Sequence, residues 1–335
     1  MFYALLMKLL VVKLSSLGDL FHALPAVHNI REQTGAEIHW AAHTPYAELV
    51  GCFGPVARVV PCPRQRTVAA LPALARTLAA ERYDLALDMQ GLLKSALVAR
   101  LARAKKTVGP SFHREGSRLF YSAVAGPRNK SRHAVEENMD FVDWLGLERV
   151  PPAFPIRLPD RPLPGPGPQI ALLPQSRWAT KNWPVACFAD VVRRLQRHIR
   201  PAFWLLGDDK ARDACAAIER AADGTATNLA GSASLVETAA LLRQADLLIA
   251  NDSGPVHMAA ALGTPTLVVF GATDPARTGP YGTGHRVLSA KLPCQPCFSR
   301  HCRRNGLACL QGVTPEHVAE TALAMLRHGK GRPTA

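Results

Sequence analysis

Asn251-Asp252-Ser253-Gly254-Pro255-Val256-His257 follows directly on the apolar run 245–250. The run reads as a buried parallel strand, and Pro255 suits the first turn of the small-residue helix that comes next. The first turn of a helix offers unpaired N–H groups and the positive end of the dipole. Asp252, Ser253, Gly254 and His257 therefore outline a seat for a phosphorylated ligand. An ordinary strand-to-helix turn, with Asp252 or Ser253 as N-cap, fits the same pattern.

Three other places bring reactive residue types to a strand end. Lys13-Leu14-Ser15-Ser16-Leu17-Gly18-Asp19 follows the first apolar run. Gly18 and the serines allow a ligand close to the backbone, and Asp19 is either a general base or a helix-start aspartate stabilised by the dipole. The stretch is neither GxGxxG nor GxxxxGK[ST], which disfavours a nicotinamide cofactor and a P-loop. Asp88-Met89-Gln90-Gly91-Leu92-Leu93-Lys94 ends another run, with Lys94 either reaching an acidic ligand or solvated. Pro174-Gln175-Ser176-Arg177-Trp178-Ala179-Thr180-Lys181-Asn182-Trp183-Pro184 places Ser176, Thr180 and Lys181 together, a set suited to a pyrophosphate because lysine neutralises phosphate as a point charge.

Cys294, Cys297, Cys302 and Cys309 form a CxxC-x4-C-x6-C cluster beside His301. Four close thiolates can bind zinc, yet the spacing matches no standard finger, so structural metal and inert thiols both remain open. Cys52, Cys62, Cys187 and Cys215 are scattered and read as core fillers.

The elements that position these groups alternate strand and helix throughout, which predicts parallel sheets flanked by helices. Strands are expected at 8–14, 37–42, 57–61, 85–89 and 107–108, and helices at 20–33, 68–80, 93–102 and 134–145. Residues 158–168, rich in proline and glycine, suit no helix or strand interior and read as a semi-rigid linker. The pattern then restarts, with strands at 169–174, 202–206 and 266–270. Helices follow at 185–197, 209–222, 235–244 and 315–327. The expectation is an amino-terminal domain over 1–157, the linker, and a carboxy-terminal domain over 169–335. Both are Rossmann-like and face a central cleft where ligands meet strand ends.

Forty Lys and Arg against 26 Asp and Glu give a net charge of +14, favouring anionic partners or simply reflecting a basic proteome. Arg100, Arg103, Lys105, Lys106, Arg114, Arg118, Arg128, Lys130 and Arg132 accompany only Glu115, a run that is either solvated or turned toward an anion. Aromatic content of 6% and the lack of any finger, zipper or RNP-like motif argue against nucleic acid. No run approaches the ~20 apolar residues of a membrane span. Residues 1–14 lack a signal-peptide cleavage site, Met7 is a candidate start, and the expected location is cytoplasmic.

Taken in order, KLSSLGD, DMQGLLKSAL, KNWP and NDSGPVHMAAALGTPTLVVFGATDP followed by TGPYG resemble the ADP-heptose:lipopolysaccharide heptosyltransferases over nearly the whole chain. CQPCFSRHC is similar to the type II enzymes, while DMQGLLKSA and HAVEENMDFVDWLG are closer to type I, which is favoured. The resemblance implies a GT-B fold and an inverting transfer of heptose from ADP-heptose, with no cofactor and no metal. The acceptor would be Kdo-lipid A or its heptosylated form, at the cytoplasmic face of the inner membrane. It makes Asp19 the base and Ser15, Ser16, Gly18, Lys94 and Arg114 acceptor-side residues. Ser176, Thr180, Lys181, Asp252, Ser253, Gly254 and His257 would bind the donor. Where some members carry paired threonines for the phosphate, this chain has Ser176 and Arg177. Two other classes remain: a non-catalytic nucleotide-sugar or anionic-lipid binding protein, and a nicotinamide oxidoreductase, which the missing glycine fingerprint disfavours.

Overall fold

A computed structural model describes residues 7–64, 70–129, 131–160, 167–304 and 306–327. The chain divides into two compact units, Met1–Arg157 and Leu158–Ala335.

The first unit is a six-stranded sheet of β1 (Lys8–Val12), β2 (Glu37–His43), β3 (Val56–Cys62), β4 (Leu85–Asp88), β5 (Lys106–Pro110) and β6 (Ala123–Ala125). The strand order is β3-β2-β1-β4-β5-β6 and every pairing is parallel. Apolar runs such as KLLVV and LALD are buried on both faces, as strands covered by helices on either side must be. Leu10, Val12, Ala41, Val60, Leu78, Tyr83, Ala86 and Val98 form one of its cores.

The second unit repeats the plan with β7 (Gln169–Leu173), β8 (Ala202–Leu205), β9 (Ala226–Asn228), β10 (Leu247–Asn251), β11 (Thr266–Val269) and β12 (Arg286–Leu288). Its order, β12-β11-β10-β7-β8-β9, is the same topology read from the other edge, and it too is wholly parallel. The helix Val185–Gln196 buries Phe188, Val191, Val192 and Leu195 against Ile170, Leu172 and Trp183.

In both units the chain reverses its direction of winding between the first and fourth strands, β1/β4 and β7/β10. The connections leave the sheet on opposite faces there, which opens a crevice at the strands' carboxyl ends. All four polar segments singled out above lie at those ends.

Some elements differ from expectation. β6, β9 and β12 are additional three-residue strands at or next to sheet edges, too short to carry an apolar run. The helix expected over 209–222 opens with a 3-10 turn, Asp209–Ala211, capped by the Asp208 carboxylate on the Lys210 N–H, before Arg212–Ala221. The helix expected from Val68 is seen from Ala70 to Ala80, its first residues lying outside those described. Of the linker, residues 161–166 lie outside the described residues. Leu158, Pro159 and Asp160 accept hydrogen bonds from the Arg243 guanidinium at 3.4, 3.3 and 3.3 Å. Cys62 and Cys215 are core residues, but Cys52 and Cys187 are only half-buried.

Candidate functional site

In the first unit, β1 and β4 run side by side and their following loops are sewn together. The Gln90 side-chain carbonyl accepts the N–H groups of Leu14 and Ser15 at 2.9 and 3.0 Å. The turn that presents Gln90 is set by Asp88, whose buried carboxylate accepts the N–H groups of Gln90 and Gly91 at 2.9 and 3.2 Å. The same carboxylate accepts the hydroxyls of Ser95 and Tyr121 at 2.9 and 2.6 Å. Burial pushes the Asp88 carboxyl above the ordinary aspartate value against these four donors. Gly91 adopts φ +73, and a Cβ there would come within 2.8 Å of the Pro110 ring, so only glycine fits.

Asp19 is the third residue of the helix Leu17–Thr34 and reaches back to its start. Its Oδ2 accepts the Ser16 N–H at 2.8 Å and the Ser16 hydroxyl at 2.9 Å. The other oxygen is 3.8 Å from His22 Nδ1. Its side chain is 42% exposed. Loss of water pushes the carboxyl up, but the neighbouring His22 imidazole, the charge of Lys13 and the Ser16 N–H outweigh this and hold it far below the usual carboxylate range. Asp19 is therefore an ionised, partly open carboxylate at neutral pH, the state a proton acceptor requires.

Lys13 is 4% exposed, donates to the Met89 carbonyl and lies 5.7 Å from the centre of the Phe112 ring. Burial lowers the proton affinity of its amine, opposed by the charges of Asp19 and Asp88. Ser15 and Ser16 are half-buried and Gly18 is buried. Lys94, in the first turn of the helix Leu93–Leu101, is half-buried too. The Arg114 side chain is exposed, and its N–H bonds the Gly91 carbonyl at 2.8 Å. The residues expected on the acceptor side thus gather at the carboxyl ends of β1, β4 and β5.

In the second unit, Asn251 at the end of β10 ties that strand to the loop after β7, and Asn182 closes the β7 loop on itself. Asn251 accepts the Trp183 N–H at 3.0 Å and donates to the Pro174 carbonyl at 2.7 Å, while Asn182 accepts the Ser176 N–H at 2.7 Å. The Ser176 hydroxyl donates to the Asp252 carbonyl at 2.9 Å. Lys181 Nζ is 2.6 Å from the Asp252 carboxylate, the side chains being 17% and 3% exposed, and the Thr273 hydroxyl donates to the same oxygen. Lys181 also lies 4.9 Å from the centre of the Trp178 ring, with the Arg300 guanidinium carbon at 5.1 Å.

Gly254 opens the helix Gly254–Ala261 and Pro255 is its second residue. Ser253 stands in the N-cap position, yet its hydroxyl makes no cap; it is buried and has no hydrogen-bond partner among the described residues. That leaves a donor beside the positive end of a helix dipole. His257 is buried one turn further along.

Thr180 departs from its expected use. It is 3% exposed and its hydroxyl donates to the Ser299 carbonyl at 2.7 Å, so it fastens the Lys181 turn to the cysteine segment. The Phe298 N–H and the Gln295 side chain bind the carbonyls of Ala272 and Gly271, both at 2.7 Å, on the neighbouring loop. Cys294, Cys302 and Cys309 are half-buried and Cys297 is exposed. Among the described residues, no three or more His, Cys, Asp or Glu side chains gather closely enough to hold a metal ion. The cysteine segment serves visibly as packing against the Lys181 turn.

Gln90, Lys13, His22, Thr273, Asn251 and Asn182 were not anticipated as parts of the site. Gln90, Asn182 and Asn251 lie inside the polar strand-end motifs, and Lys13 breaks an apolar strand pattern with a charge. Those were the available signals.

The profile of glycosyltransferase family 9 (heptosyltransferase) matches residues 71–308. The chain belongs to that family. It is a glycosyltransferase. The lipopolysaccharide heptosyltransferase 1 of Pseudomonas aeruginosa is 31% identical, with 96% of this chain and 98% of that protein covered. The structure of Escherichia coli heptosyltransferase WaaC with ADP superposes at a TM-score of 0.78, with 26% identity over 95% of this chain and 100% of that one. Escherichia coli ADP-heptose lipopolysaccharide heptosyltransferase II shares the fold, at a TM-score of 0.81 and 22% identity over 96% and 99% of the two chains. The two parallel six-stranded sheets are those of a GT-B glycosyltransferase. Among the described residues, no helix is long and apolar enough to cross a membrane.

Proposed function

We propose that this glycosyltransferase moves heptose from ADP-heptose to the Kdo-lipid A inner core of lipopolysaccharide, with inversion. The observation that carries the reading is the pair of strand-end sites. One offers an ionised carboxylate, Asp19; the other offers a lysine, an unpartnered hydroxyl and a helix start, all suited to a diphosphate. The full-length likeness to a type 1 enzyme favours Kdo-lipid A over its heptosylated form as acceptor.

In this reading the ADP diphosphate is held by Lys181, Ser253 and the N–H groups of the helix beginning at Gly254, with Ser176 and Thr180 fixing the turns. Asp252 and His257 hold heptose hydroxyls. An acceptor hydroxyl oxygen attacks the anomeric carbon as the bond to the phosphate oxygen breaks, and ADP leaves with that electron pair. Asp19 takes the hydroxyl proton. Fixed donors at the diphosphate stabilise the charge that develops there, each by about 3 kcal/mol. Ser15, Ser16, Gly18, Lys94 and Arg114 meet the acidic acceptor, and the exposed Arg114 suits an anionic lipid at the cytoplasmic face of the inner membrane.

Incubating the purified protein with ADP-heptose and either Kdo-lipid A or its monoheptosylated form, then weighing the lipid products, tests the reading. A gain of one heptose on Kdo-lipid A is expected. Transfer only to the monoheptosylated acceptor moves the assignment to type II. Donor binding without transfer to either makes the protein a binding module.

A further inference from the structure

Three consecutive backbone N–H groups stand between the end of β1 and the helix that carries Asp19, and the sheet cannot satisfy them. The last N–H that this strand gives to β2 is that of Lys13, on the Ala41 carbonyl, followed by the His43 N–H on the Leu14 carbonyl, and on its other side the Met89 N–H bonds the Val12 carbonyl where β4 ends. The N–H groups of Leu14, Ser15 and Ser16 lie past that limit. Two of them go to the Gln90 side-chain oxygen and the third to Asp19 itself. An amide oxygen has two lone pairs, so one side chain can take both bonds.

We infer that Gln90 is a positioning residue for the transfer reaction: it sets the orientation in which the β1 loop presents the Asp19 carboxylate. The device extends inward. Gln90 is aimed by the turn on Asp88, and Asp88 is held by Ser95 and by Tyr121, whose hydroxyl comes from the far end of the loop after β5. The loop carrying Arg114 is tied to the same turn through the Arg114 N–H and the Ser117 hydroxyl, both on the Gly91 carbonyl at 2.8 and 3.0 Å. One turn therefore fixes the proton acceptor and the basic loop beside it in a single frame. Gln90 itself is half-buried and is no part of the apolar core, so its place is explained by what its oxygen holds.

The inference rests on Asp19 being the base, and the test separates the two. Gln90→Leu keeps the volume and removes the acceptor; Gln90→Glu keeps an oxygen in place. Displacing a reacting group by about 1 Å costs on the order of a hundredfold in rate, so Gln90→Leu is expected to lower kcat by about ten- to a hundredfold while ADP affinity by calorimetry stays within about twofold. Gln90→Glu is expected to recover kcat to within about fivefold of the unsubstituted enzyme, because the same two N–H groups keep an acceptor. Amide hydrogen exchange over 13–20 quickens in Gln90→Leu alone, and this readout holds whatever the substrate is. A folded Gln90→Leu with kcat within about twofold of the unsubstituted enzyme and unchanged exchange over 13–20 overturns the inference. If Gln90→Leu does not fold, Gln90→Met against Gln90→Glu decides: equal kcat in the two overturns it. Asp19→Ala, assayed alongside, reports on the base itself; retained transfer there removes Asp19 and leaves the exchange result to judge Gln90.

Discussion

Lys181 and Asp252 form a close ion pair, Nζ to carboxylate 2.6 Å, with Asp252 nearly sealed from water and Thr273 on the same oxygen. The lysine expected to meet a diphosphate is thus already neutralised by the protein. Its flexible stem lets it bridge Asp252 and an arriving phosphate without either charge being stranded. Lys181→Met removes a charged hydrogen bond worth about 1.5–3 kcal/mol to the ligand, so ADP affinity is expected to drop by roughly ten- to a hundredfold in calorimetry. The same substitution leaves a buried carboxylate with one partner fewer, for which losses of about 3–5 kcal/mol are typical in urea unfolding. Lys181→Met, Asp252→Asn removes both charges and is expected to regain stability while donor binding stays weak. Equal unfolding free energies for the single and double variants would count against the pairing.

Asp19 carries the chemical proposal. Asp19→Asn preserves shape and loses the proton acceptor, so kcat is expected to fall by about a hundred- to ten-thousand-fold, the range for a general base. Donor affinity is expected to hold, because the diphosphate groups come from Lys181 and the Gly254 helix. A parallel collapse in donor affinity would show that Asp19 acts in binding.

The depressed proton affinity of Asp19 also sets a pH dependence of stability. A carboxyl whose folded pKa lies below its unfolded one contributes stability that is complete above the unfolded value and fades as pH falls toward the folded one. The causes are the neighbouring His22 imidazole, the Lys13 charge and the Ser16 N–H, acting against desolvation. Asp19→Asn is therefore expected to be less stable than the unsubstituted protein at pH 7. The gap narrows below about pH 4, where an unfolded aspartate takes up its proton. Unfolding in urea at several pH values measures this; a gap that widens on acidification contradicts it.

Gly109 lies on β5 against the Tyr121 ring, where an added Cβ would sit 2.0 Å from a ring carbon. Gly109→Ala forces Tyr121 away from Asp88. Overpacking of this kind costs about 1–3 kcal/mol, and the freed buried carboxylate adds to it. Thermal unfolding is expected at lower temperature together with reduced transfer. Gly116→Ala, where a Cβ meets nothing within 4 Å, is the comparison, its cost confined to the positive φ of +74.

The eight thiols differ widely in access. Cys297 is exposed, whereas burial pushes the Cys215 thiol up to about 12. A maleimide near pH 7.5 is expected to label Cys297 first and Cys215 and Cys62 only after unfolding, because the thiolate is the reactive form. Prompt labelling of Cys215 in the folded protein would contradict the packing of the helix Arg212–Ala221.

Much of the architecture was legible because it depends on local apolar pattern. The helices Leu235–Gln244 and Pro315–Arg327 fall where the sequence places them, and the central strands lie within a residue or two of their expected ends. The edge strand β6, only Ala-Val-Ala, was not legible, since its strand state comes from the β5 ladder and not from its own residues. The site was readable as residue types at strand ends, but hydrogen-bond partners were not. No spacing rule shows that Gln90 bonds a loop some 75 residues earlier, or that the Thr180 hydroxyl bonds the Ser299 carbonyl. The first pairing is made by the sheet order, which brings β1 beside β4, and the second by the segment after β12 returning to the β7 loop.

The most direct measurement is transfer of heptose from ADP-heptose to Kdo-lipid A, followed by mass spectrometry of the lipid, with the unsubstituted protein and Asp19→Asn side by side. The account predicts one added heptose with the former, none within the same time with the latter, and equal ADP affinity for both. Full transfer by Asp19→Asn, or donor binding by the unsubstituted protein with no transfer to either lipid acceptor, would contradict it.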